Sequence, residues 1–482
     1  MTVKSAKTLV MKFGGTSVGS AQAMGQAAEI IKQARPEWER MVVVTSAISG
    51  ATNALLDSAT HAAKGDLQPL LDTEKSLLAN HGKIADEQIT DPTLRAQVKQ
   101  DVAHLITAFG NLCRAIAVLG EASPRALDAV ASLGERLSVR VLAAVCESHG
   151  VAAKYVESTQ LVITNASFQN AHPDFGATTL ATRSILNPLL DAGIVPIVTG
   201  FIGATPEGVV TTLGRGGSDY SAAILGAVLP ADDVWIWTDV DGVMTADPRM
   251  VPEARTLPEI SYGEIAELAY YGAKVLHPKT VRPVVEAGIG LRICNTFNPS
   301  HPGTRLVANT KNGKPVQSER IIKAVTAIRK QRLVTIEGRG MLGVPGVAAR
   351  AFAAVASTGT SVPLITQASS EQSICFAVPS ESVEAVLTAL ARIFSAELAD
   401  RDIDRVWATE DVSIITVVGT GTRNTPGVAG HIFSKLGQIN VNVLAIAHGS
   451  SDVSVSLVVE SVDDEKSVRA LHELIVSTAR TD

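Results

Sequence analysis

The chain has 482 residues, enough for about two to four domains. Hydrophobic residues make up 46% and charged residues 19%, which excludes a disordered chain, and a formal charge of −6 leaves no electrostatic footprint for nucleic acid. With 4% aromatics, 38 Gly and 21 Pro, the core has to come from Ala, Val, Leu and Ile between many tight turns, as in an α/β protein.

The first expected strand is Thr8–Phe13, followed by Gly14-Gly15-Thr16-Ser17 and a helical pattern to about Arg35. Met41–Thr45 reads as a second strand. Residues 55–150 carry helical periodicity, with breaks expected at Gly65, His81-Gly82, Pro92 and Pro124. Strands return at Val156, Val162-Ile163, Val195–Val198, Val209–Thr212, Val234–Trp237 and Leu291–Ile293, with helical stretches between several of them. Near-continuous apolar strands alternating with helices predict a parallel sheet covered on both faces. Asn309–Glu319 reads as a linker. Beyond it Thr335, Gly338, Gly340, Pro345-Gly346-Val347-Ala348 and Phe352 recur as Thr416, Gly419, Gly421, Pro426-Gly427-Val428-Ala429 and Phe433, at a constant offset of 81 residues. Two copies of a βαββαβ module are expected.

No apolar run of about 18 residues is apparent, so no membrane span is expected, and the N-terminal stretch is too polar for a signal peptide. Cys113, Cys146, Cys294 and Cys375 are scattered, and read as reduced thiols of a cytoplasmic protein.

Four segments carry chemistry. In Lys12-Phe13-Gly14-Gly15-Thr16-Ser17, glycines let the backbone approach an anion, helix N–H groups point at it, and the lysine neutralises charge. The Walker spacing is absent, and a structural turn with a solvated lysine is the plain alternative. In Thr212-Leu213-Gly214-Arg215-Gly216-Gly217-Ser218-Asp219, an arginine suited to carboxylate or phosphate precedes a helix expected over Tyr220–Leu229, with Ser218 and Asp219 as candidate N-caps. Trp237-Thr238-Asp239-Val240-Asp241-Gly242, running on to Asp247-Pro248-Arg249, is a strand end of the kind that binds ligands. Gly272-Ala273-Lys274-Val275-Leu276-His277-Pro278 holds a histidine with no metal partners nearby, so a packed or capping role is expected and no metal site.

Together these segments, with VTSAISGATN at 44–53 and SLGERLS at 132–138, resemble the amino acid kinase family and, within it, the aspartate kinases. The repeats resemble their paired ACT domains. The resemblance implies a three-layer α/β/α kinase domain with a mostly parallel sheet over residues 1–312, then ferredoxin-like ACT domains over 313–400 and 401–482. It implies ATP and Mg²⁺ as cofactors and L-aspartate as substrate. Lys12 matches the lysine that stabilises the transferring phosphoryl; Glu135 and Arg215 match the residues that hold the substrate ammonium and α-carboxylate. Ser46, Thr52, Ser218 and Asp219 match other substrate-pocket positions, Asp219 and Lys274 also counting as catalytic. Gly14, Gly15, Thr238, Asp239, Arg249 and Lys274 match the nucleotide site. Met244 departs from the tyrosine of some relatives there.

The chemistry agrees. An aspartate carboxylate with an ordinary pKa of ~3.9 is already ionised at neutral pH, so a kinase acting on it has to overcome repulsion rather than remove a proton. A literal GxGxxG at Gly338–Gly343 lacks the acidic residue of a dinucleotide fold about 20 positions on. The sequence stops at Asp482, after the second repeat, so the fused homoserine dehydrogenase of bifunctional relatives is not expected. A glutamate 5-kinase and a catalytically dead amino-acid sensor are the competing readings. The run Leu364–Glu371 resembles the threonine-regulated bifunctional enzymes, so threonine is favoured over lysine as effector, with Gln367 more important than His448. A homo-oligomer is expected.

Overall fold

The structure, a computed structural model, describes residues 7–271, 276, 278–308, 310–311, 314–315, 321–341, 344–367, 372–422, 425–448 and 452–477. They form two units. The first comprises residues up to Val243, Pro258–Tyr262 and Leu276–Ala308; the second comprises Met244–Leu257, Gly263–Val275 and the rest from Asn309.

In chain order the first 308 residues give β1 (Thr8–Phe13), α1 (Ala21–Ala34), β2 (Arg40–Thr45), α2 (Ala51–Ala62), α3 (Gln68–Gln88), α4 (Pro92–Leu119), α5 (Pro124–Ser148), β3 (Ala153–Val156), α6 (Phe175–Asp191), β4 (Val195–Thr199), β5 (Ile202–Ala204), β6 (Val210–Thr212), α7 (Gly217–Val228), β7 (Asp233–Thr238), β8 (Glu259–Ser261), α8 (Tyr262–Tyr270), α9 (Pro278–Ala287), β9 (Gly290–Asn295) and β10 (Thr304–Val307). One sheet runs β3-β4-β2-β1-β7-β9-β10-β8, parallel throughout except for β9 against β10. The α/β/α layering follows from burial of both faces. In β1, alternation sends Leu9, Met11 and Phe13 into a core shared with α1 to α5, and turns Val10 and Lys12 to the other side.

The expected break at His81-Gly82 is absent, and α3 runs through it. His81 is fully buried and its Nδ1 donates to the Leu77 carbonyl at 2.8 Å. Packing of Leu77, Ile84 and Ala85 holds the helix against the cost of an interior glycine, about 1 kcal/mol. Val162-Ile163 forms no strand; Ile163 makes a single bridge to Ala204. One described helix, α4, is long and apolar enough to cross a membrane by length and composition. Here its Val98, Val102, Ile106, Phe109, Cys113 and Ile116 lie in the core. None of the four cysteines is in a disulfide, and burial pushes the Cys113 thiol to about 11 and those of Cys146 and Cys294 to about 12, leaving them unreactive.

Within the expected linker, β11 (Thr310–Lys311) and β12 (Lys314–Pro315) pair antiparallel, and its other residues lie outside the described ones. The second unit continues with β13 (Ala324–Glu337), α10 (Val347–Ala356), β14 (Leu364–Gln367), β15 (Ser373–Pro379), α11 (Val383–Ile393), α12 (Ser395–Ala399), β16 (Arg405–Ala408), β17 (Val412–Val418), α13 (Val428–Gln438), β18 (Ala445–Ala447), β19 (Ser454–Glu460) and α14 (Asp464–Ser477). The repeat is visible in three dimensions. Gly346 (φ 91°) and Gly427 (φ 88°), equivalent in the two copies, are the left-handed residues that start α10 and α13.

The sheet is continuous across both modules and antiparallel, and strand β13 belongs to both. Its residues Gln331–Glu337 pair with β15 and its Val334–Glu337 with β16, while Ala324–Ile328 pair with β17. The register shifts between Ile328 and Gln331, where Lys330 adopts a φ of 55°. The first module therefore reads β13-α10-β14-β15-α11-β16, and the second completes β17-α13-β18-β19-α14 with a strand that precedes the first. The GxGxxG match has a packing cause at its first two glycines: a Cβ on Gly338 or Gly340 would run into the backbone of Asp402. Leu342 and Gly343 lie outside the described residues.

Two excursions from within the first 308 residues pack into this unit. Ala246, Met250 and Val251 join the core of the second module, and the fully buried Glu264 of α8 pairs with Lys323 at 2.8 Å and accepts from Thr420 N and Oγ1 at 2.8 and 2.6 Å. Glu264→Ala strands a nearly buried lysine, a loss of roughly 3–5 kcal/mol, and is expected to lower the melting temperature of the second unit's transition in calorimetry. An unchanged thermogram would show the pair to be dispensable.

Candidate functional site

The parallel sheet sets the site at the carboxyl ends of β1, β2 and β7, where loops lead into helices. Lys12, turned away from the α1–α5 core, is 8% exposed, and its Nζ lies 2.6 Å from Asp219 Oδ1 of α7. Gly14 donates its N–H to the Trp237 carbonyl at 3.1 Å. A Cβ there would come within 3.3 Å of Lys12 Nζ, and one on Gly15 within 2.9 Å of the Ala47 carbonyl, so the glycines keep the lysine head clear and let β1 close on the loop after β2.

Ser218 and Asp219 do not cap α7. Gly216, at φ 70°, starts the helix earlier than expected, placing both residues inside its first turn. Ser218 packs on Gly200, where a Cβ would sit 2.7 Å from it, and Asp219 is released to hold Lys12. Lys12, Ser46, Thr52, Glu135, Arg215, Ser218 and Asp219 line one cavity of about 530 Å³.

Glu135 is 3% exposed on α5. Gly134 lets the helix approach, since a Cβ there would stand 2.8 Å from the Ala47 Cβ. Glu135 Oε1 accepts from Ala47 N at 3.3 Å, and Oε2 has no partner among the described residues. Burial pushes its carboxyl up to about 8, with the Ala47 amide acting in the opposite direction. Arg215, on the loop before α7, is exposed, and has no ion-pair partner among the described residues. A buried, unpaired carboxylate oxygen facing a cavity with a guanidinium and an ammonium at its rim is complementary to a small zwitterion bearing a second negative group.

Thr238 ends β7, beside β1, and its Oγ1 donates to Asp239 Oδ1 at 3.2 Å. Met244 and Arg249 fall in the second unit. Met244 Sδ accepts from Thr256 Oγ1 at 3.5 Å, and Arg249 forms a 2.6 Å ion pair with Asp247, which holds that carboxyl below its usual range. Lys274 and His277 lie outside the described residues. In the first module, Gln367 lines a cavity of about 390 Å³ with Met341, Val344, Gly346, Val347 and Ile374 at the start of α10. His448 is exposed after β18.

Sequence reasoning missed Asp128, Gln169 and Phe201, which also line the main cavity. The signal for Asp128 was present. Asp128, Ser132 and Glu135 recur at i, i+4 and i+7 on the buried stripe of α5, all at 3% exposure or less.

The amino acid kinase family matches residues 7–295, and the ACT domain matches residues 334–394 and 415–474. The aspartokinase of Schizosaccharomyces pombe is 32% identical, covering 96% of this chain and 91% of the relative. The bifunctional aspartokinase/homoserine dehydrogenase 2 of Arabidopsis thaliana is 39% identical over 96% of this chain and 50% of the relative, so the chain spans about half the length of such bifunctional relatives. Among solved structures, E. coli aspartokinase III in complex with lysine and aspartate superposes with a TM-score of 0.79 at 31% identity over 97% of this chain and 99% of that one. The same enzyme in complex with aspartate and ADP superposes with a TM-score of 0.77 at 30% identity over 98% and 100%.

Proposed function

For a chain that belongs to the amino acid kinase family, in its aspartokinase branch, we propose the transfer of the γ-phosphoryl of ATP to the side-chain carboxylate of L-aspartate, giving 4-phospho-L-aspartate. The observation that carries the reading is the unpartnered, buried Oε2 of Glu135, which suits the substrate ammonium. Arg215 takes the α-carboxylate in the fork geometry that guanidinium offers. The side-chain carboxylate then reaches toward Lys12, whose ammonium neutralises charge as the phosphoryl moves between two anions. Asp219 fixes the lysine until the substrates arrive. Gly14, Gly15, Thr238 and Asp239 form the proposed nucleotide rim, and the complex of E. coli aspartokinase III with ADP supports a nucleotide site in this family.

Among the described residues no group of three His, Cys, Asp or Glu side chains gathers to hold a metal. A Mg²⁺ ion is proposed to be carried on the nucleotide phosphates, where it would screen their charge. Unpaired cysteines suit a reducing, cytoplasmic compartment. The product would supply lysine, threonine and methionine synthesis. With ATP, Mg²⁺ and aspartate, trapping by hydroxylamine should give aspartyl hydroxamate; a folded preparation that forms none overturns the reading.

The cavity beside Gln367 is the proposed effector site, and the two modules are proposed to bring two chains together as a dimer. The resemblance of Leu364–Glu371 to threonine-regulated enzymes favours threonine, and the lysine complex of the E. coli neighbour is the competing choice. Threonine is expected to weaken aspartate or ATP binding, and Gln367→Ala to relieve that inhibition with uninhibited turnover unchanged. Inhibition curves for both amino acids decide it: full activity in millimolar threonine, with loss in lysine, excludes threonine.

A further inference from the structure

We propose that Asp128 is a positioning residue of the aspartate pocket, fixing the Arg215 loop relative to Glu135; the inference rests on the substrate reading above. Asp128 lies on α5 seven residues before Glu135, so the two share a face two turns apart. It is 1% exposed and accepts four hydrogen bonds. Gln169 N donates to its two oxygens at 3.1 and 3.0 Å, Thr212 N to Oδ2 at 2.9 Å, and Thr212 Oγ1 to Oδ1 at 2.8 Å. One carboxylate thus clamps three segments: α5, the loop around Gln169 and the end of β6.

Both clamped segments line the cavity. From Thr212 only Leu213 and Gly214 intervene before Arg215. Gln169 adopts a φ of 68°, a left-handed conformation that costs a non-glycine residue energy and persists where surroundings impose it. Gly214, at φ 78°, rests on the same loop: a Cβ there would lie 3.0 Å from the Gln169 carbonyl and 3.0 Å from Asn170 Oδ1. The Arg215 loop is therefore stacked on the Gln169 loop, and both hang from Asp128. Burial pushes the Asp128 carboxyl up while the amide and hydroxyl donors act against it, as for a carboxylate held for its acceptor capacity. Asparagine has the same shape but turns an NH₂ group toward N–H donors, breaking one side of the clamp.

Steady-state kinetics on the full chain test this. Asp128→Asn is expected to raise KM for aspartate by about tenfold or more, from one buried donor left unsatisfied, with kcat and the KM for ATP within about threefold of wild type. Thr212→Val, which deletes one donor and keeps the backbone bond, is expected to raise the aspartate KM by about fivefold. An unchanged aspartate KM in either folded variant overturns the proposal, as does an equal rise for both substrates, which a purely structural role would give. If the asparagine variant does not fold, Thr212→Val alone decides. Wild-type protein that makes no aspartyl phosphate overturns the substrate reading instead.

Discussion

Lys12→Ala is expected to lower kcat by about two to three orders of magnitude while the KM for aspartate changes little. The lysine sits at the end of β1, held 2.6 Å from Asp219, so its ammonium is in place before any substrate binds. A contact that strengthens as charge develops on the transferring phosphoryl acts on the transition state, and its loss appears in kcat. The alanine also leaves Asp219 without its counter-ion in a poorly hydrated position, so thermal denaturation should accompany the kinetics and confirm a folded variant. Initial rates of aspartate-dependent ADP release give the answer. A raised KM at unchanged kcat would make Lys12 a ground-state binding residue and remove it from the phosphoryl transfer.

Glu135 gives the second large effect, and one with a pH signature. Glu135→Gln keeps the shape but leaves the substrate ammonium without a counter-charge, a loss of roughly 3–5 kcal/mol in aspartate binding, with ATP binding nearly intact. In the substrate-free protein the carboxyl is raised from 4.5 to about 8, so it is protonated across the neutral range. An ammonium placed against Oε2 favours the ionised form and expels that proton. Aspartate affinity should therefore rise by up to about one logarithmic unit per pH unit as pH approaches 8, then level off. The sign for folding is opposite. A raised carboxyl stabilises the empty fold most below 4.5, and that contribution is lost as pH climbs to about 8. Calorimetric titration of aspartate in two buffers of different ionisation enthalpy should show about one proton released at pH 7, and none in the glutamine variant. No proton release in the wild type would mean that Glu135 is already ionised or does not meet the ammonium.

What the sequence disclosed depends on how local the cause is. Lys12-Gly14-Gly15 and Gly214-Arg215-Gly216 are legible because a glycine-bounded charge at a strand end has few purposes, and the structure gathers Lys12, Arg215 and Asp219 round one cavity. The repeat was legible because its Pro-Gly turns impose the same left-handed start on α10 and α13. The capping role expected of Ser218 and Asp219 failed because Gly216 could begin the helix first. The break at His81-Gly82 failed because packing outweighs propensity. The α5 stripe places Asp128 on the buried face, but its role is not local: its three donor groups belong to Gln169 and Thr212, 41 and 84 residues away, and no local pattern reports such partners.

Strand β13 bears on the order in which the protein matures on the ribosome. When about the first 410 residues have emerged, every strand of the first module is present, whereas Ala324–Ile328 waits for β17 and the elements after it. During that interval an apolar strand has an open edge, the kind of surface that recruits neighbouring nascent chains. Lys323, Arg329 and Lys330 flank it with positive charge. Like charges on adjacent polysomal chains oppose edge-to-edge pairing until Asp464 arrives and takes Arg329 at 2.6 Å. Charge beside an open apolar edge is the kind that opposes aggregation, and in the finished fold Lys323 pairs with Glu264 and Arg329 with Asp464.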